Sequence, residues 1–195
     1  MKKRFAAFAL LLAVAAFSLT GCGIVTVVKT GEEAALTGET TVDAASEAGT
    51  TWDAVVEEIT KNAAELSELD TGSGTGAYAV KGTGTITAID QESKNGSITL
   101  SIDGYTDKTV KLSIGPVYSG TSVRDAQTQK AYSDFTNQGE WSEYALGLNT
   151  IVDEQVVAPN NFDANSVGKT VTFTGACSAP TGDTIMVTPV ALTVE

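Results

Sequence analysis

The apolar residues of this chain follow three different patterns along its length. A nearly unbroken apolar run covers residues 5–19, directly after three basic residues. Between Thr51 and Leu69 the apolar positions recur every three or four residues, which predicts one amphipathic helix capped by Thr50 or Thr51. From Val80 onward apolar and polar residues alternate, as they do in strands with one buried face.

Five alternating stretches predict five strands. Lys94-Asn95-Gly96 predicts a tight turn between the first two, since Asn-Gly suits positive φ angles. Gly82 and Gly84 suit a first strand that curls sharply, and Pro189 suggests a bulge or an edge in the last strand. The predicted strands occupy residues 80–88, 98–102, 110–114, 171–177 and 185–194.

Three strands, a long excursion over residues 115–165 and two further strands make up the order of an OB-type barrel. We therefore predict a mainly β fold with a small helical part. It consists of an OB-like five-stranded barrel, an N-terminal helical subdomain and a helical insertion between strands 3 and 4. The alternation in the fourth predicted strand places Cys177 on the same face as Val171 and Phe173, so it should point into the barrel, where a thiol acts as a small apolar group.

The start of the chain is typical of a bacterial lipoprotein. Lys2, Lys3 and Arg4 precede an apolar run that is shorter than the roughly 20 residues of a membrane-spanning helix. Residues 1–21 therefore read as a signal peptide, and Leu19-Thr20-Gly21-Cys22 reads as a lipobox. We expect cleavage before Cys22, lipidation of its sulfur, and a location in the cell envelope, on the extracytoplasmic face of a bacterial membrane. The acyl anchor on Cys22 would be the contact with the membrane.

The mature chain divides into a stalk, a helical part and the barrel. Residues 22–50 are expected to form a lipidated stalk, although Gly23 to Thr30 could equally be a first strand of the domain. Residues 51–76 are expected to hold the helical subdomain and a Gly-rich joint. Residues 77–195 then form the barrel with its excursion.

Charge and composition exclude several classes of function. The chain carries a net charge of −12, which becomes −15 once the three basic residues of the leader are removed. Nucleic acid is therefore not an expected partner, since phosphate binding needs clustered Lys and Arg. There is no histidine, and Cys177 is the only cysteine besides Cys22. Histidine-dependent triads and zinc sites are excluded, and we expect no metal and no cofactor.

The excursion holds the richest set of polar groups, and two interpretations remain open. The first is a small polar pocket for a sugar or an anion. In the second, the turn caps a short helix, and carboxylates or amides such as Asn137 hold Arg124. Trp141 and Tyr144 could form a stacking wall, or Trp141 could belong to the buried face of a helix. The pocket residues would be Gly120, Thr121, Ser122, Arg124, Asp125, Asn137 and Gln138.

Short motifs in a specific order resemble the DUF2291 family of predicted periplasmic lipoproteins. They are the lipobox followed by Gly-Ile-Val, Lys81-Gly82-Thr83-Gly84, Gly115-Pro116 with Gly120-Thr121 and Arg124-Asp125-Ala126, Phe135-Thr136-Asn137-Gln138, and Val187-Thr188-Pro189-Val190. The resemblance implies an OB-like barrel with a small helical subdomain. It also implies a genomic setting, since such lipoproteins tend to be encoded beside ribose-type sugar ABC transporters.

Three functions are compatible with these features. The leading hypothesis is a membrane-tethered, non-enzymatic accessory or ligand-binding lipoprotein associated with a sugar ABC transporter or its small-molecule sugar. The second is a carboxylate-based hydrolase of envelope glycans, which needs two acids about 5–9.5 Å apart. The third is a structural protein-docking module that uses the acidic helix face or a barrel edge. The candidate acids for hydrolysis are Asp125, Asp134, Glu140 and Glu143.

Overall fold

A computed structural model of the chain describes residues 42–69, 75–180 and 182–195. The predictions for the signal peptide, for Cys22, for Gly23 to Thr30 and for most of the stalk and the joint lie outside the described residues. The described elements are helix α1 (Ala44–Asn62), strand β1 (Ala64–Glu65), strand β2 (Ala77–Asp90), strand β3 (Asn95–Ile102), strand β4 (Tyr105–Pro116), helix α2 (Ser122–Asp125), helix α3 (Gln138–Ile151), a π-helical turn (Val152–Val157), strand β5 (Thr170–Ser178) and strand β6 (Thr184–Val194). Short 3-10 turns cover Leu66–Glu68, Tyr132–Asp134, Ala158–Asn160 and Ala164–Ser166.

Strands β2 to β6 close into a barrel. β2 pairs antiparallel with both β3 and β5, and β4 pairs antiparallel with β3 and parallel with β6. β5 and β6 are antiparallel neighbours, which completes the ring in the order β2-β3-β4-β6-β5. The short β1 adds a parallel strand along β2. The predicted OB-like five-stranded barrel with a helical insertion between its third and fourth strands is confirmed.

The first half of β2 pairs with β5 and its second half pairs with β3, and the two pairings meet at Thr85. Gly84, next to this point, allows the strands to approach closely. A Cβ atom on Gly84 would lie 2.8 Å from the Ser101 carbonyl oxygen of β3. On its other edge the same residue pairs with Val171 of β5. A side chain at Gly84 would push β3 away from β2, so close strand approach explains this glycine, while the sharp curl of the strand stays a prediction.

The barrel interior has the predicted alternation of apolar residues. Buried side chains from all five strands meet there, and Cys177 is among them with no exposed surface. Burial raises the pKa of this thiol to about 11, because the charged thiolate would lose its hydration. The buried set includes Val80, Ile86, Ile98, Leu100, Leu112, Val171, Phe173, Ile185 and Val187.

The helix before the barrel both begins and ends earlier than the sequence pattern predicts, since it covers Ala44–Asn62 and β1 and a 3-10 turn follow where the pattern predicts helix up to Leu69. α1 starts at Ala44, where the carboxylate of Asp43 accepts the Ser46 N–H at 3.0 Å. The predicted cap at Thr50 or Thr51 is therefore wrong, and residues 44–50 of the expected stalk are helical. The buried face continues through Ala48 as α1 packs on α3, where a Cβ on Gly147 would approach the Ala48 methyl group to 2.8 Å.

The predicted Asn-Gly turn is also wrong. The connection between β2 and β3 covers residues 91–94 and so ends before Asn95. It is held by the Asp90 carboxylate, which accepts the N–H groups of Glu92 and Ser93, each at 3.1 Å. Gly96 instead pairs with Gly115 of β4, and a Cβ on Gly96 would clash with the Gly115 carbonyl oxygen. Close strand approach explains this glycine.

Candidate functional site

Arg124 is held by its immediate neighbours. Its Nε donates to Asp125 Oδ1 at 2.8 Å, and its Nη2 lies 2.7 Å from the same oxygen. Nη1 donates to the Trp141 carbonyl at 3.2 Å, and the guanidinium carbon lies 4.4 Å from the centre of the indole ring. These contacts support the structural interpretation of Arg124, with a carboxylate and a carbonyl as partners in place of Asn137.

The other residues of the predicted pocket also have structural contacts. Asn137 caps α3 by accepting the Glu140 N–H at 3.0 Å, and the Ser122 hydroxyl donates to Thr188 Oγ1 at 3.3 Å. The Thr121 hydroxyl donates to Asp125, and the Gly120 carbonyl accepts from Asn149 Nδ2 at 3.2 Å. The Gln138 carbonyl accepts from Ser142, while the residue itself is exposed. A binding role for this set stays a prediction.

Trp141 is part of an aromatic cluster. Its ring stacks on Tyr144 with centroids 5.8 Å apart and an interplanar angle of 13°, and Phe135 lies 5.2 Å from it. Arg124 lies over the same indole. The ring is half-buried and carries these neighbours, which favours the packing interpretation over a stacking wall for a ligand.

A larger cleft lies elsewhere, at the end of β4. Its volume is about 430 Å³, within the range typical of small-molecule sites. We call it the Asp153 cleft. The end of β4, the π-helical turn, the residues after that turn and the β2–β3 connection form its walls. They contribute Gln91, Ile114, Gly115, Pro116, Asp153, Val157, Ala158, Asn161 and Phe162.

Gly115 allows Asp153 to sit against the main chain. Its φ angle is +68°, and a Cβ at this position would lie 2.5 Å from Asp153 Oδ1 and 2.8 Å from the Tyr118 ring. The Tyr118 hydroxyl donates to the same Asp153 oxygen at 3.1 Å. Burial raises the pKa of Tyr118, and the Asp153 charge and this hydrogen bond raise it further. Tyr118 therefore stays a protonated donor that orients the carboxylate.

The Asp153 cleft keeps free hydrogen-bond acceptors, and each of its two side-chain amides also keeps one N–H donor. Gln91 Nε2 donates to the Phe162 carbonyl at 2.8 Å, and Asn161 Nδ2 donates to the Pro159 carbonyl at 3.2 Å. Within the described residues, nothing donates to Asp153 Oδ2 or to the two side-chain amide oxygens. Apolar surface from Phe162 and Val157 completes the walls, and no lining residue is cationic. This arrangement suits an uncharged ligand that carries several hydroxyl donors.

Sequence reasoning did not single out Asp153 or Tyr118. Gly115-Pro116 at a predicted strand end was a local signal, since such a dipeptide marks the end of a strand. Asp153 follows 38 residues after Gly115 without a motif around it, and only the fold brings the two together.

Two smaller clefts accompany the Asp153 cleft in the described part of the chain. One of about 230 Å³ lies on the other side of Asp153, between Val117 and Leu146, and we call it the Leu146 groove. The second, of about 200 Å³, is lined by hydroxyls, including those of Ser122 and Thr188. Ser122 is the one residue of the predicted pocket that lines any of these three clefts.

The four acids predicted for hydrolysis lie outside these clefts. Asp125 binds Arg124, and the Asp134 carboxylate accepts the Ala131 N–H at 2.8 Å. Glu140 is buried and accepts the N–H groups of Val42 at 3.3 Å and Thr136 at 2.8 Å. Glu143 is exposed on α3.

Two further properties concern the described residues alone. They contain no cluster of three or more carboxylate or cysteine side chains arranged to hold a metal ion. None of their helices combines the length and the apolar character needed to cross a membrane.

A family model described as a predicted periplasmic lipoprotein, DUF2291, matches residues 12–193. This chain belongs to the DUF2291 family. The match spans nearly the whole DUF2291 chain, confirms the resemblance seen in its motifs, and places the protein in the cell envelope as a lipid-anchored periplasmic lipoprotein. No curated protein matches it in sequence. Among solved structures, an OB-fold protein from Thermotoga maritima is similar, with 20% identity over 84% of this chain and 91% of that chain and a TM-score of 0.46.

Proposed function

We propose that this DUF2291 lipoprotein is a non-enzymatic, membrane-tethered accessory component of a sugar-uptake system, and that it binds a small neutral sugar in the Asp153 cleft. The observation that carries the proposal is the cleft itself, with a carboxylate held at its wall by Tyr118. The partner would be the ribose-type sugar ABC transporter that the family resemblance implies.

The chemistry of the cleft supports a sugar over a charged metabolite. Asp153 Oδ2 and the amide oxygens of Gln91 and Asn161 can accept hydrogen bonds from sugar hydroxyls, and the remaining N–H of each amide can donate to a sugar oxygen. Phe162, although mostly buried, also lines the cleft and adds apolar surface to it. An anionic ligand would meet Asp153 without a compensating cation in the lining, in a protein with a mature charge of −15.

The same cleft supports binding over hydrolysis. Glycoside hydrolysis generally requires two carboxyl groups that flank the scissile bond. Among the described residues that line the Asp153 cleft, Asp153 is the one carboxylate. Glu154, its neighbour in the chain, lines the Leu146 groove instead.

Attachment to the membrane would come from Cys22. The lipobox ends at this residue, and the proposed product of the lipoprotein peptidase begins with it. Labelled palmitate should be incorporated into the wild type and not into Cys22→Ser, which should accumulate as the uncleaved precursor. Equal labelling of both proteins would contradict the assignment of Cys22.

Calorimetric titration tests the ligand site. The mature protein in detergent is titrated with a panel of pentoses and hexoses, and Asp153→Asn should weaken the best binder roughly 10- to 100-fold, as expected for a charge-assisted hydrogen bond of about 1.5–3 kcal/mol. Glu154→Gln is the matched control and should bind normally. Thr85→Ala, on the exposed barrel face, should also bind normally.

Two results would contradict the proposal. One is the absence of binding by every sugar of the panel. The other is a sugar that binds wild type and Asp153→Asn equally well.

A further inference from the structure

The Leu146 groove presents large apolar side chains to solvent. Leu146 is 64% exposed and Val117 is 46% exposed. They are two of the five large apolar side chains that the described part of the chain exposes, the others being Tyr132, Val167 and Met186. Because both side chains line one groove, they form a continuous apolar surface that a partner side chain could cover.

One wall of this groove is acidic. Asp153 and Glu154 both line it, and Glu154 is exposed at its surface. No Lys or Arg belongs to the lining. A segment that fills the groove therefore meets apolar surface from Leu146 and Val117 next to two carboxylates.

The groove is held in shape by its own hydrogen bonds. The Thr150 hydroxyl donates to the Leu146 carbonyl at 3.0 Å, and Asn149 Nδ2 donates to the Gly120 carbonyl at 3.2 Å. The half-buried Tyr118 is fixed by Asp153. Because the surface is already formed, an incoming segment would not have to order these groups on binding.

We infer that the Leu146 groove docks a segment of a partner protein that carries a large apolar side chain next to a Lys or Arg. The apolar side chain fills the space between Val117 and Leu146, and the cation faces Glu154 and Asp153. Charge complementarity selects this occupant over a second copy of the chain, since a copy brings the same acidic groove and the same net charge of −15. This inference concerns a partner surface and does not depend on sugar binding.

Methyl NMR of the mature lipoprotein in lipid nanodiscs tests the inference directly, because Val117 and Leu146 carry reporter methyl groups. The probe is a blocked alanine-rich peptide with a central Leu-Lys pair. The matched probes replace Lys by Glu or Leu by Ser. We expect the Leu-Lys peptide to shift both methyl signals and to bind about tenfold more tightly than either matched probe.

Variants separate the groove from general surface effects. Leu146→Ser and Glu154→Gln should each weaken the Leu-Lys peptide about five- to tenfold. Val167→Ser removes an apolar side chain of similar exposure, 48%, outside the groove lining and should leave the affinity unchanged. An equal loss in Val167→Ser would overturn the inference.

Three further outcomes would also overturn it. The first is the absence of methyl shifts at millimolar Leu-Lys peptide. The second is a dimer of the wild type, seen by sedimentation, that Leu146→Ser abolishes, because the occupant would then be a second copy. The third is relaxation of the Leu146 methyl signals by spin-labelled lipid in peptide-free discs, which would assign this face to the membrane.

Discussion

Replacing Arg124 by alanine should destabilise the protein and leave sugar binding in the Asp153 cleft intact. The substitution removes the pair of contacts with Asp125, the hydrogen bond to the Trp141 carbonyl and the stacking of the guanidinium on the indole. It adds no new contact. The Arg124 side chain is 10% exposed, so water replaces these contacts only in part.

The size of the effect follows from these contacts. The Asp125 side chain is 38% exposed, which limits the ion pair to about 0.5–1 kcal/mol. The hydrogen bond to the Trp141 carbonyl contributes about 1 kcal/mol or more, and the cation–π contact about 1–2 kcal/mol at this degree of burial. Together they predict a loss of roughly 2–4 kcal/mol in the free energy of unfolding. For a domain of this size the melting temperature should fall by roughly 5–15 °C.

Thermal unfolding followed by circular dichroism measures this loss, and calorimetric titration with the best sugar measures binding below the melting temperature. Arg124→Lys is the matched control: it keeps the positive charge but lacks the planar fork, and it should recover part of the stability. Fluorescence should report a more exposed Trp141 in Arg124→Ala.

A normal melting temperature together with lost sugar binding would refute this reasoning. Arg124 would then be a ligand-binding residue, as the predicted pocket around Gly120 and Asn137 requires. A normal melting temperature with normal binding would mean that the contacts with Asp125 and Trp141 contribute no net stability.

Two other predictions follow from the structure. Gly115→Ala should destabilise the protein and weaken sugar binding, because its φ of +68° is strained for alanine and the new Cβ would lie 2.5 Å from Asp153 Oδ1. Gly120→Ala has a φ of +102° and open space around the new Cβ, so it should lose only the backbone strain of roughly 1–2 kcal/mol. Equal losses of stability in the two variants would contradict this prediction. Cys177 should resist thiol reagents in the native protein at pH 8, because its side chain has no exposed surface and burial raises its pKa from 9.0 to about 11, which leaves roughly 100-fold less thiolate. Thiol titration with and without denaturant checks this. Rapid modification of Cys177 in the native protein would show that its side chain is accessible.

The barrel could be predicted from sequence because strand periodicity is local. The alternation in β2 to β6 indicates which side chains enter the core. Cys177, for example, is buried on the same face of β5 as Val171 and Phe173. Strand order followed from the position of the long excursion between β4 and β5. A barrel with one buried face leaves little freedom to shift a strand, since a slip of one residue would expose its apolar side chains.

Helix and turn boundaries were less predictable because tertiary contacts decide them. The buried face of α1 extends to Ala44 and Ala48, which precede Thr51 in the chain. Such small side chains belong to the core only because α1 packs closely against Gly147 of α3. Asn95-Gly96 has the composition of a tight turn, yet the approach of Gly115 on β4 places it in a strand.

The candidate site depends on the tertiary structure most of all. Gly115, Tyr118 and Asp153 come from the end of β4, the loop after it and the π-helical turn, and no spacing in the sequence connects Asp153 with the other two. The motifs around Arg124 and Asn137 were visible in the sequence because each of them is contiguous, although the structure also joins Arg124 to the more distant Trp141. A cleft is formed by side chains that are distant in the chain and face one another, so its acceptors could be identified only after the barrel and the excursion had packed together.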